Sequence, residues 1–119
     1  ERPAVAVAEV SNETGDARYA PLARAVTELV VSDTSSSPRA LRVLRGAGSS
    51  TQQVRTTVNG RLILWSGHPS VSLSAVDQRS GRVIWSAIAP GPEDSLPAQV
   101  HDRIVELKAV IENRQMQPL

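Results

Sequence analysis

The chain has 119 residues, 40% of them hydrophobic, which is enough for one core and one domain spanning 1–119. With 13 Lys+Arg against 12 Asp+Glu, its formal net charge of +1 gives no broad positive field for nucleic acid. There is no cysteine, which excludes disulfides, thiolate metal sites and thiol catalysis. No apolar run of about 18 residues is present to insert this segment into a membrane. Aromatics are 3% with no Phe, so the core must be built from Val, Leu, Ile and Ala.

In chain order, Ala4 to Val10 is a short apolar run with valines at alternate positions, the pattern of a buried first strand. Ser11 to Asp16 (SNETGD) is rich in turn formers and predicts a loop. From Tyr19 to Ser32 the period changes. Leu22, Val26, Leu29 and Val30 recur at helical spacing, predicting an amphipathic helix that ends before Pro38. Ala40 to Leu44 alternates as a second strand, parallel to the first across the helical crossover. Arg45 to Gln53 predicts a loose loop.

Three further strands follow as a meander. Arg55 to Trp65 is the third, with Gly60 as a bulge or a point of close approach. Ser66–Pro69 is a turn. Ser70 to Asp77 alternates, with Val71, Leu73 and Ala75 on one side and serines on the other. Gln78–Gly81 is a hairpin turn, and Arg82 to Ala89 is the fifth strand. Pro90, Pro92 and Glu93–Asp94 lead into a second helix, capped by Asp94 or Ser95. Its stripe is Val100, Ile104, Leu107 and Ile111. Residues 113–119 read as a frayed tail. The fold class is therefore α/β (α+β): one mixed sheet of about five strands with two helices, ordered β-α-β-β-β-β-α.

Little in the chain carries reaction chemistry. The two histidines, His68 and His101, fall on a turn and a helix without metal spacing. No Gly-x-Ser-x-Gly elbow is present, and Gly46-Ala47-Gly48 lacks the lysine of a phosphate loop. Glu93–Asp94 suits a helix N-terminus, and Asp77 suits hydrogen bonds to turn amides. These patterns predict no catalytic residue, no cofactor and no metal site. A meander gathers Arg55, Arg79 and Arg82 at one end of the sheet, either as a solvated rim or as a receiver of an anion or an acidic partner.

Two stretches carry a resemblance. The first is Val5 to Asp16, an opening strand followed by Asn12-Glu13-Thr14-Gly15-Asp16. The second is Gly60 to Ser86, with Gly60, Asp77, Ser80, Gly81, Trp85 and Ser86. In order and spacing they resemble the TolB N-terminal-like domain family, found in bacterial regulatory and envelope proteins. The chain departs from that family where Glu9-Val10 stands for its Pro-Phe, and where Ile63-Leu64-Trp65 is apolar instead of polar. The matching residues are structural in the family, with Trp85 a buried anchor, so the resemblance implies a fold and a module class without an active site.

The resulting expectation is a non-catalytic sensory or protein-interaction module of a bacterial envelope or signalling protein, excised from a longer chain. Ile63 and Trp65 are the expected contacts, and the partner is another protein, another domain of the same polypeptide or a second copy in a homodimer. The location is periplasmic or cell envelope, with the cytoplasmic side left open. The alternative is a small-ligand sensor domain of a membrane-bound regulator, kinase or adenylate cyclase.

Overall fold

The computed structural model describes residues 4–35, 42–45 and 54–116. Its strands are β1 (Ala4–Val7), β2 (Ser11–Asn12), β3 (Arg42–Arg45), β4 (Val54–Trp65), β5 (His68–Asp77) and β6 (Val83–Ala89). Its helices are α1 (Ala20–Ser35) and α2 (Leu96–Met116), each entered through a 3-10 turn, Ala17–Tyr19 and Glu93–Ser95. The fold class is the mixed α/β expected. The sheet order is β3-β1-β4-β5-β6, with β2 beside β4. β1 runs parallel to both β3 and β4, as a helical crossover requires. β4, β5 and β6 form the antiparallel meander.

The strands alternate strictly enough to assign the two faces of the sheet. Val58, Leu62, Val71, Leu73, Ala75 and Ala89 share one face with Val5 and Val7, all buried in a single cluster. Ala23, Val26 and Val30 of α1 close that cluster at one end, and Val100, Ile104, Leu107 and Ile111 of α2 close it at the other. Each Val, Leu or Ile among them contributes about 1.5–3 kcal/mol by leaving water, and each Ala less. The second face carries Ala6, Thr57, Asn59, Ser70, Ser72 and Ser74, and no helix packs on it among the described residues.

Gly60 is a point of close approach and not a bulge. Its register with Leu73 is unbroken, and a Cβ would meet Val10 Cγ2 at 3.0 Å and Leu73 Cδ2 at 3.2 Å. The register slips elsewhere, between Ala75 and Val76 opposite β6, where Ile84 is the extra residue.

Four details differ from the sequence reading. The Ser11–Asp16 loop begins with β2, because the chain continues beside β4 after β1 ends: Ser11 pairs with Arg61, and Glu13 N donates to Leu62 O at 2.8 Å. The Ser66–Pro69 turn is tighter than expected. Trp65 pairs directly with His68 across Ser66 and Gly67, whose φ values of 53° and 83° fit the mirror-image turn favoured by strand twist. Neither Asp94 nor Ser95 caps α2 by its side chain. Ser95 N donates to Pro92 O at 2.9 Å, and the Gln99 carboxamide returns to bond both Gly91 N and Gly91 O. Finally, α2 continues to Met116, into the stretch read as tail, while 117–119 lie outside the described residues. The loop read at Arg45–Gln53 also lies outside them, apart from Arg45 itself.

Candidate functional site: the two ends of the hairpin

The β4–β5 hairpin is longer than its neighbours. β2 accompanies β4 only to Leu62, and β6 reaches β5 only at Val71. Residues Ile63 to Ser70 therefore run on past the last paired residue of both flanking strands as a two-stranded arm; Pro90–Gly91 still lie along its β5 side, where Pro69 and Ser70 are buried, and Leu64 to Gly67 form its exposed tip. The arm's tip is apolar. Trp65 is 50% exposed and Leu64 45%, while Ile63 is half-buried opposite Ser70. The sequence reading named Ile63 and Trp65; Leu64, in the same apolar run, is the addition. Behind the tip, Ser70 is fully buried and its hydroxyl donates to Pro90 O at 2.7 Å, fixing the arm's root. Exposed apolar side chains on both faces of a hydrogen-bonded hairpin are suited to docking.

Arg55, Arg79 and Arg82 meet at the opposite end. Gln78 N donates to Arg55 O at 2.9 Å and Asp77 N donates to Arg82 O at 2.8 Å, while Arg79 sits in the turn between them. All three side chains are exposed, and none has an ion-pair partner among the described residues. Arg82 borders a cleft of about 550 Å³ between this turn and α2, floored by Val83, Ile84 and Val110. Asp77 and Ser80 line the same cleft. The Asp77 carboxylate accepts from the Ser80 hydroxyl at 2.8 Å and from Ser80 N at 3.3 Å, the turn role expected of it. A carboxylate at this wall opposes the binding of a small anion there.

The Asn12–Asp16 loop is a closed network. Asn12 Oδ1 accepts from Thr14 N and the Thr14 hydroxyl, Asp16 N donates back to that hydroxyl, and Asn12 Nδ2 donates to Asp16 O. The Arg18 guanidinium hydrogen-bonds both Asp16 oxygens, which holds the Asp16 carboxyl below its ordinary range and raises Arg18 above its own. Thr27 ties this loop to α1. Its hydroxyl accepts from Val10 N at 2.9 Å and donates to Ala23 O at 3.0 Å. The remaining sequence candidates are dispersed. His101 Nδ1 lies 3.4 Å from Asp33 Oδ1 on the α1–α2 seam, and His68 pairs with Trp65 at the arm. Trp85 is half-buried at the border of the core, short of the fully buried anchor the resemblance implied.

No family model and no curated protein matches the chain. Solved structures do. A PelC dodecamer from Paraburkholderia phytofirmans is 19% identical with a TM-score of 0.62, over 92% of this chain and 88% of that one. TolB from Acinetobacter baumannii is 12% identical with a TM-score of 0.60, over 93% of this chain but 28% of its own. Lipoprotein GNA1162 from Neisseria meningitidis is 14% identical with a TM-score of 0.51, over 90% and 98%. The chain shares the fold of these proteins. No helix among the described residues is long and apolar enough to cross a membrane.

Proposed function

We propose that the chain is a non-catalytic protein-interaction module of the bacterial envelope, of the TolB N-terminal-like kind, that docks through the tip of the β4–β5 arm. The observation that carries this reading is the arm itself: Leu64 and Trp65 stand beyond the flanking strands beside a tight turn, exposed where folding alone would favour polar residues, with half-buried Ile63 behind them. A half-exposed Trp on a preorganised arm is the kind of residue that dominates binding energy when a partner buries it. The fold likeness to TolB and to a lipoprotein supports the envelope setting, and the sparse reactive chemistry supports a role in contact.

The test places a photo-crosslinking side chain at position 65, and separately at exposed Val105 on α2, in cells of the source bacterium. A discrete adduct from position 65 that is absent from position 105 is expected. Trp65→Ala should weaken capture of that adduct's partner by about tenfold or more, the scale of a hot-spot truncation. Unchanged capture by Trp65→Ala defeats the reading.

A further inference from the structure

We propose that β6 is a self-association edge, at which two copies of this chain pair antiparallel about a two-fold axis near Ser86 and join their sheets into one. This contact is separate from the arm and does not depend on it. β6 ends the sheet, so one side of its backbone has no strand partner among the described residues. Edge strands are ordinarily protected by charge, proline, a bulge or brevity. Apart from one bulge near its start, β6 has none of these: its seven residues, VIWSAIA, are uncharged and free of Pro and Gly, and are rich in side chains that favour pairing. Val83 is 61% exposed and Ile88 41%, near opposite ends of the strand. The only irregularity is the extra residue at Ile84, which leaves Trp85–Ala89 in unbroken register.

Charge selects a second copy as the occupant. The end of β6 that begins the strand carries Arg79 and Arg82, which outnumber the neighbouring Asp77 carboxylate and leave it net positive, and the end that finishes it leads to Glu93 and Asp94. Arg79, Arg82, Glu93 and Asp94 are exposed and have no ion-pair partner among the described residues. An antiparallel two-fold brings the basic end of each copy to the acidic end of the other, while a parallel arrangement sets like charges together. The uncharged strand lies between. The arrangement is self-complementary, as an isologous contact requires.

The experiment uses the 119-residue chain. Light scattering across a concentration series should show a reversible shift from 12.7 kDa to about twice that mass. Because the chain lacks cysteine, Ser86→Cys introduces its only thiol, close to the two-fold axis. Mild oxidation should give a covalent dimer, whereas Ser74→Cys on the inner strand β5 should not. Arg82→Glu should raise the dimer dissociation constant about tenfold, and adding Asp94→Arg should restore it. A strict monomer at every concentration overturns the inference, as does a dimer whose affinity ignores Arg82→Glu. Either result leaves the arm's docking reading standing, since the crosslink at position 65 reports on that separately.

Discussion

The two faces of the sheet are made from the same strands and obey different rules. On the face under α1 and α2, positions 58, 62, 71, 73 and 75 are Val, Leu, Val, Leu and Ala, and each is buried. One residue along, positions 57, 59, 70, 72 and 74 are Thr, Asn, Ser, Ser and Ser. The second face nonetheless contains buried members, Ala6, Thr57 and Ser70, although no helix covers it among the described residues. Small side chains there are shielded by neighbouring strands and by reaching side chains, such as Gln78, whose Nε2 donates to the Thr57 hydroxyl. Burial on the helix-covered face measures how much a side chain contributes to stability. Burial on the other face mostly measures how short the side chain is.

Truncation is the strongest way to break this contrast. Leu62→Ala removes a fully buried side chain beneath the helices and should cost about 2–5 kcal/mol in chemical denaturation, with the slope unchanged. Ser72→Ala, one strand over on the other face, should stay within about 0.5 kcal/mol of the parent. Equal losses would erase the distinction between the faces. A second, smaller effect tests polar chemistry inside the core. Thr27→Val keeps the shape but leaves Val10 N without its acceptor, and should cost about 1–3 kcal/mol. Thr27→Ser, which keeps the hydroxyl, should recover part of that loss.

The smallest effect is at the surface. The Asp16 carboxyl is held low by Arg18, so it contributes stability above the ordinary aspartate value of 3.8, and that contribution disappears as the pH falls through the lowered folded value. Asp16→Asn should therefore separate slightly from the parent in thermal unfolding at neutral pH and converge with it in strong acid. A difference that grows on acidification would reverse the sign.

How far the sequence could be read follows from the range of each interaction. Strand β5 was legible because Val71, Leu73 and Ala75 alternate with Ser70, Ser72 and Ser74, and α2 because its stripe repeats over three turns. The arginine end of the hairpin was legible too, since a meander leaves little freedom in where its turns fall. β2 was not: two residues have no period, and its pairing depends on β4 some 50 positions away. The closure of α2 escaped as well, because the group that satisfies Gly91 is Gln99, reaching back from inside the helix, and not a residue at its start. At the arm, the apolar run was visible in Ile63-Leu64-Trp65. Its projection was not, because that depends on where the neighbouring strands stop. Ile88, in the VIWSAIA strand, was passed over for the same reason: nothing in the local pattern says that β6 is last in the sheet.

The hydroxyl that joins Val10 to Ala23 has a mechanical meaning. It is a rivet between the chain leaving β1 and a mid-helix turn of α1, set in a dry interior where neither partner has water to turn to. A pull on the segment that carries Asn12 and Asp16 is thereby delivered to the flank of α1, and from there across its seam to α2 through Lys108, whose ammonium grips the Asp33 carbonyl at 2.7 Å. Because Asn12 also pairs with Leu62 of β4, this corner of the molecule is pinned to the strands and to the helical layer at once.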